Sequence, residues 1–374
     1  MTLNIFADRT YLPDGLPHIT MLYPFWGKNP EPARDPNTGR FDRFAESGRH
    51  FLSLASLQDA DVAIVPFSWE HCSSNKEATA LLEQLCQDAR AVGKPTALFF
   101  WSDSMESVPI SHCMVFRTSL LRSRKTPNEF AMPAWSEDFV DRYLGGELVV
   151  RDKGARPTVG FCGYAPLRPR MLRRFARALK DRWMPRSVQP EDGGRYVRAE
   201  ALQVLAQQSL VETNFVLRDG FLGGALSSTG QPDWNALLRS RKEYVQNICG
   251  SDYVLCVRGA GNFSYRLYET LACGRIPVFI DTDCLLPYHS SIAWREHCVW
   301  VDQRELGELP LKIAQFHDSL TNRQFRDLQK SCRDFWQTFL SPEGYFRNFY
   351  RHFQGDEEQP RPASSSKPHA DPKV

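Results

Sequence analysis

Arg258, Ser264, Arg266 and Glu269 are the residues whose types and spacing best suit chemistry, and Gly259 and Gly261 lie among them. Glycine lets a backbone approach a ligand closely. A helix beginning near Ser264 offers unsatisfied N–H groups and the positive end of its dipole, which together favour an anion. Ser264 can cap that helix or bond a phosphate oxygen. Glu269 follows Arg266 by three residues, so the spacing puts both on one helix face. The set suits a nucleotide: cationic and N–H groups for a diphosphate, a carboxylate for ribose hydroxyls.

The elements that must position these residues surround them. Residues 253–257 form a short apolar run with strand character. Leu267, Leu271 and Ala272 then recur at helical spacing, and Gly274 stands where a helix would stop. Residues 276–280 read as a second buried strand, with Asp281 at its end. The dinucleotide fingerprint is absent, because Ser264 stands where its third Gly is required. No Gly-Lys-Ser/Thr follows as in a P-loop. By spacing alone the unit reads equally well as an ordinary βαβ segment, with Arg266 and Glu269 as a surface ion pair.

Four strings come in order: Leu255-Cys256-Val257-Arg258-Gly259, Ser264-Tyr265-Arg266-Leu267-Tyr268-Glu269, Gly274-Arg275-Ile276-Pro277-Val278 and Leu286-Pro287-Tyr288. Together they resemble the nucleotide-sugar half of exostosin-like glycosyltransferases. That family shows Leu-Cys-Pro-x-Gly, Ser-x-Arg-x-x-Glu/Asp, Gly-Cys-Ile-Pro-Val and Leu-Pro-Phe. Val257, Arg275 and Tyr288 depart from the pattern and mark a distant branch.

The resemblance implies an α/β protein of GT-B type, with two Rossmann-like domains facing across a cleft. The acceptor would sit mainly on the first domain (residues 1–153). The nucleotide sugar would sit on the second (154–353), whose last helix, within 345–353, would cross back to the first. It implies transfer of a sugar from a nucleoside-diphosphate donor, a uridine one, to a glycan acceptor, with inversion and without a metal or other cofactor. Arg258, Gly259, Ser264, Arg266 and Glu269 would bind the donor. The family's Gly-bearing strand end and helix-start Arg resemble Gly163 with Arg168 or Arg170, so Arg170 joins that set. The alternative is a non-catalytic nucleotide- or sugar-binding protein of the same fold.

Inversion asks for a base to take the acceptor hydroxyl's proton. Ligands of parallel sheets sit beyond the carboxyl ends of strands. That points to Asp8, Glu70, His71 and Asp103, with Glu129 as a further candidate; Asp103, after the strand at 96–101, is preferred. The aromatics Phe25, Trp26 and Trp69 could stack on acceptor rings or pack in the core. Asp281-Thr282-Asp283 has the spacing of a metal anchor but stands where the family carries a turn, so no metal site is assigned.

Composition agrees with an enzyme of this size. The 374 residues suit two domains, and 42% hydrophobic content can fill two cores. Lys plus Arg is 46 and Asp plus Glu 44, a net charge of +2 that gives no support for a nucleic-acid partner. The ten cysteines show no Cys-x-x-Cys pair, so free buried thiols are expected. No stretch approaches the roughly 20 apolar residues of a membrane helix, and residues 1–8 do not read as a signal peptide. Since animal and plant members of the family carry an anchor, a bacterial-type cytoplasmic enzyme is expected, free or peripheral at the inner face of a membrane.

Along the chain, strands are expected at 3–7, 19–23, 61–67, 96–101 and 114–120. Helices are expected at 41–57 and 78–91, and a half-helix at 138–144. The pattern relaxes at 147–156, where the domain boundary is placed. A strand at 158–162 opens the second domain, followed by a helix at 169–183, a loop at 187–198 and a turn-rich insertion at 215–224. Helices follow at 235–248 and 311–339. Residues 354–374 have almost no apolar side chains and read as disordered.

Overall fold

Val62, Ala63, Ile64, Val65 and Phe67 are all fully buried. A strand apolar on both sides needs cover on both faces, the condition of a parallel sheet. In the computed structural model, which describes residues 2–33, 35–72, 75–110, 112–165, 194–218, 220 and 233–353, this strand is one of six. They are β1 (Leu3–Phe6), β2 (Leu52–Leu54), β3 (Val62–Ser68), β4 (Thr96–Phe100), β5 (Cys113–Arg117) and β6 (Glu129–Ala131). Their order is β2-β1-β3-β4-β5-β6, all parallel. A second parallel sheet holds β7 (Thr158–Tyr164), β8 (Glu212–Arg218), β9 (Tyr253–Cys256), β10 (Ile276–Asp281) and β11 (Val299–Asp302), in the order β11-β10-β9-β7-β8. The chain is thus α/β with two parallel sheets.

The order of the second sheet matters for function. From β7 the chain goes to β8 on one side, then to β9, β10 and β11 on the other. The reversal lies between β7 and β9, and crevices that bind ligands open at the carboxyl ends of strands at such a point. Arg258 and the loop to Ser264 follow β9 directly, so the candidate residues emerge at this switch.

Several expectations need correction. The helix expected over 41–57 is only Asp42–Ser47, because Leu52 and Leu54 pair with Leu3 and Ile5 as strand β2. Residues 19–23 are not a strand. Thr20–Leu22 is a 3₁₀ turn leading into the helix Tyr23–Trp26, with Pro24 in its first turn, where a missing N–H costs least. The loop at 187–198 overlaps the helix Arg195–Ala206, and the insertion at 215–224 overlaps β8, an edge strand whose exposed residues hid its pairing. The helix at 311–339 is two, Leu309–Asp318 and Asn322–Phe335, divided at Thr321, which forms a capping box with Gln324. The expected helix at 169–183 and the tail at 354–374 lie outside the described residues. All ten cysteines are free, and all but Cys249 are buried. Among the described residues no helix is long and apolar enough to cross a membrane.

At least three sets of contacts hold the two sheets together. Near the carboxyl end of the chain, Tyr345, Phe346 and Phe349 enter the core of the first sheet. Phe346 lies 4.6 Å from Phe44 and Phe349 4.6 Å from Phe116, ring to ring. Arg333 donates to both Asp138 oxygens, at 2.8 and 2.7 Å. The third set is built on the Asp281–Asp283 turn. Arg122 donates to Asp281 at 2.6 and 2.7 Å, Ser123 donates to Asp283 at 2.5 Å, and Leu121 bridges Cys284. The metal-like spacing therefore belongs to an interdomain contact. At its centre Asn262 is fully buried, donating to Leu120 O at 3.1 Å and Asp283 O at 3.0 Å and accepting from Thr282 at 2.8 Å.

Asn262→Ala should therefore lower stability by about 2–4 kcal/mol, since it leaves two buried carbonyls and a hydroxyl without partners. Equilibrium urea unfolding checks this. Asn262→Asp, which keeps the shape but cannot donate, should be comparably destabilised.

Candidate active site

Four arginines gather where β7 and β9 end. Arg266 donates from Nη2 to Cys162 O at 2.9 Å, and its guanidinium lies 4.4 Å from the Phe161 ring centre and 5.6 Å from that of Tyr244. Gly163 makes that reach practicable: its φ is +153°, and a Cβ there would sit 3.0 Å from Arg266 Nη2. Arg198 donates to Tyr164 O at 3.0 Å and to Arg258 O at 2.9 Å. Arg195 lies over the Tyr164 ring at 5.8 Å. Arg258 is buried, and its Nη1 reaches Met105 Sδ of the first domain at 3.8 Å.

Three of these arginines lack an acid partner among the described residues. Among the described residues Arg195, Arg198 and Arg266 make no ion pair, and the Nε atoms of Arg198 and Arg266 are buried without a hydrogen-bond partner. Burial first, and then the neighbouring Arg266 and Arg195 charges, push the Arg198 guanidinium down to about 10. Clustered like charges in a part-buried crevice call for an anion.

The helix Tyr265–Ala272 adds its N-terminus to the same place. Ser264 has the extended backbone of an N-cap, yet its side chain does not cap the helix and takes no other hydrogen bond among the described residues. Its hydroxyl is thus uncommitted beside the first-turn N–H groups, which have no intrahelical acceptor. Gly259 opens on free space. Gly261 is there for another reason: a Cβ would lie 2.9 Å from Asp103 Oδ1, so its bareness lets the two domains meet.

Glu269 differs from the sequence expectation. It is buried rather than part of a surface ion pair, and it does not pair with Arg266. Tyr244 Oη donates to Oε2 at 2.5 Å, and Arg241 Nη1 lies 3.4 Å from Oε1. Arg241 also holds Glu137 Oε1 at 3.1 Å and donates to Asn37 Oδ1 at 3.2 Å, so it joins both halves of the molecule. The cause of the separation is local: Arg266 is drawn onto Phe161 and the Cys162 carbonyl, whereas Glu269 faces the helix Trp234–Cys249. Burial pushes the Glu137 carboxyl up, against the pull of Arg241, and raises the Tyr244 hydroxyl well above its usual range, helped by Glu269.

Across the cleft, the first sheet carries a pocket of about 290 Å³ at the ends of β3 and β4. Its walls include Tyr23, Phe41, Trp101 and Trp135, with Glu70 and His71 among the polar groups. Trp101 Nε1 donates to Tyr265 Oη at 3.2 Å, so the pocket adjoins the start of the arginine-bearing helix. Asp103 is exposed at the same junction, and its carboxylate takes no hydrogen bond among the described residues. Burial pushes the Glu70 carboxyl above its ordinary value.

The remaining candidates fall elsewhere. Asp8 caps a 3₁₀ turn through Thr10, and Glu129 is buried against Arg117 at 2.7 Å. Phe25 and Trp26 carry Arg49 and Arg9 on their rings, and Trp69 packs against the core between the first sheet and the helix Lys76–Ala91. None of the three lines the pocket. Arg170 and Arg168 lie outside the described residues. Among the described residues no group of three or more His, Cys, Asp or Glu could hold a metal ion. Sequence reasoning missed Arg195, Arg198, Arg241 and Tyr244. The last two lie one turn apart on the expected helix at 235–248, a signal that was available.

Fold and site together define an α/β protein of two parallel sheets, with a cationic crevice on the second and an aromatic pocket on the first. Residues 222–315 match the family model of the exostosin GT47 domain. The chain is 30% identical over 100 residues to the exostosin-1 homolog of Caenorhabditis elegans, covering 27% of this chain and 25% of that protein. It is 34% identical over 70 residues to exostosin-1 of Drosophila melanogaster, covering 19% and 9%. Over 83 residues it is 30% identical to an Arabidopsis thaliana protein named probable beta-1,4-xylosyltransferase IRX10, covering 22% and 20%. The match thus spans a quarter or less of these relatives. A crystal structure of TarM aligns with a TM-score of 0.33 at 9% identity, covering 78% of this chain and 54% of that one. Over the quarter of its length that the family model matches, the chain is similar to the exostosin family.

If the arginine crevice binds an anion, millimolar inorganic pyrophosphate should raise the thermal unfolding midpoint, because a ligand of the folded state alone stabilises it. Arg266→Ala should abolish most of that rise. An equal rise in the variant would move the anion site elsewhere.

Proposed function

We propose that the protein is a glycosyltransferase that moves a sugar from a nucleoside-diphosphate donor, a uridine one, to a carbohydrate hydroxyl, with inversion and without a metal. The observation that carries this reading is the set of arginines that make no ion pair among the described residues, Arg195, Arg198 and Arg266, near a helix whose first residue, Tyr265, meets the aromatic pocket through Trp101. The names of the relatives, exostosins and a xylosyltransferase, support glycosyl transfer.

In this reading the donor diphosphate lies against Arg198, Arg258, Arg266 and Ser264. As the bond from the anomeric carbon to the diphosphate oxygen breaks, negative charge grows on that oxygen. Preorganised guanidinium and N–H groups stabilise it more than they stabilise the ground state. That is the work a divalent ion would otherwise do. Glu269, held by Tyr244 and Arg241, presents its carboxylate to the ribose hydroxyls. The acceptor sits in the first-domain pocket, and its hydroxyl oxygen attacks the opposite face of the anomeric carbon. Asp103 takes the proton, since it is the carboxylate at the junction of pocket and donor loop that no hydrogen bond holds among the described residues. Glu70, within the pocket, accepts hydrogen bonds from acceptor hydroxyls.

The test is release of uridine diphosphate from a panel of uridine diphosphate sugars, with and without glycan acceptors. Acceptor-dependent release is expected. No release of uridine diphosphate with any donor and acceptor, in a chain that binds the nucleotide, would favour the non-catalytic alternative. Asp103→Asn should cut kcat by about 10²–10⁴ while leaving the nucleotide Kd unchanged. Glu269→Gln, which keeps the volume of a buried side chain, should weaken the donor instead. Acceptor KM should rise on acidification through a range above that of an ordinary glutamate, because burial raises the Glu70 pKa and its charged form is the better acceptor. Glu70→Gln should flatten that limb.

A further inference from the structure

We propose that the first-domain pocket reads a negative charge: the saccharide it takes carries a carboxylate or a phosphate, bound by Arg40. The inference rests on the acceptor role given to that pocket above. Arg40 lines the pocket, with its guanidinium 4.7 Å from the Trp101 ring centre and 5.1 Å from that of Phe41. Its hydrogen bond among the described residues is from Nη1 to Trp135 O at 3.3 Å, while its Nε is buried without a partner. Among the described residues it makes no ion pair.

The pocket's own acids do not meet this charge. Glu31 is engaged by Lys28 at 3.2 Å and by the Gly39 N–H at 3.1 Å. Glu70 is hydrogen-bonded to Ser102. Burial lowers the His18 pKa, so that ring, bonded to Gly27 O, adds no second fixed charge at neutral pH.

The Phe41 and Trp101 rings, set at 90° to one another, confine the guanidinium, and its Nη edge, which makes one hydrogen bond among the described residues, is the part a ligand would meet. A neutral sugar filling the pocket would strip water from that edge and return only neutral hydrogen bonds. A carboxylate or phosphate returns charge-assisted ones, which are about twice as strong. The aromatic walls meanwhile suit the C–H face of a pyranose. A planar cation held beside aromatic rings that reads an anion by its edge is also a role that lysine fills less well.

The test titrates methyl glucuronide, methyl glucoside and glucose 6-phosphate into the full chain, with uridine diphosphate present, and follows tryptophan fluorescence from Trp101 and Trp135. An anionic probe should bind about tenfold more tightly than the neutral glucoside, with a preference that shrinks as salt rises. Which anion wins tells carboxylate from phosphate. Arg40→Gln should reduce the preference to about twofold or less, and Arg40→Lys should retain part of it. Equal binding of the neutral and anionic probes by the wild type, or a preference that survives Arg40→Gln, would overturn the proposal. The wild-type comparison decides even if the variants fold poorly. Uridine diphosphate binding is measured in the same samples. A chain that binds the nucleotide but shows no charge preference refutes only the reading of Arg40. A chain that binds neither nucleotide nor saccharide refutes the donor and acceptor roles themselves.

Discussion

The positive charge of Arg198 and Arg266, which make no ion pair among the described residues, is the constraint at the ends of β7 and β9 on which the rest of the site depends. Guanidinium groups that share a crevice repel one another, and burial removes the water that would screen them. The fold supplies partial answers. Arg266 spends its charge on the face of Phe161 and on the Cys162 carbonyl, and Arg198 spends its own on the Tyr164 and Arg258 carbonyls. Neutral dipoles hold such groups in place without neutralising them. The residual field is directed at whatever occupies the crevice, where an anion gains most. A carboxylate beside Arg266 would have made a more stable protein with a weaker anion site.

Glu269 shows how that outcome is avoided. Its place in the sequence puts it next to Arg266 on the helix, where it could quench the site. Instead Tyr244 and Arg241 hold it, from a helix that precedes β9. Arg241 is shared with Glu137, so one cation serves two buried acids. Carboxylate and arginine therefore remain separate tools on one short helix. Because Arg241 also reaches Asn37, the position of Glu269 is tied to the first domain.

How much of this was legible follows from the range of the interactions. The unit from β9 to β10 could be read almost residue by residue, since its signals are local: an apolar run, a glycine loop, a helical stripe, a stop. The same holds for Ser264 at the helix start. Arg195 and Arg198 were missed because the segment before them is polar and glycine-bearing, which hid a helix whose stripe of Ala201, Leu202 and Leu205 begins only a turn later. The Glu137–Arg241–Glu269 chain was not legible at all. It joins positions more than 100 residues apart, and periodicity says nothing about which buried charges meet. The same limit applies to the pocket, whose walls come from four separate stretches of the first domain.

The Asp281–Asp283 turn makes the same argument from the opposite side. Its spacing suggests chemistry, yet Arg122, Ser123 and Asn262 use every one of its polar side chains to fix one domain against the other. Asn262 sits in the same loop as Gly261, whose bare backbone touches Asp103. The loop that borders the arginine crevice is therefore also the loop that sets the distance to the first-domain pocket. A transfer reaction between two domains needs that distance fixed to within a fraction of an ångström, because misplacement of reacting atoms by about 1 Å can cost about 100-fold in rate. Residues with no part in the chemistry carry that burden here. The acids of the turn are held by the partners that fix the domains, whereas Asp103, facing the same loop, keeps its carboxylate without a hydrogen bond among the described residues.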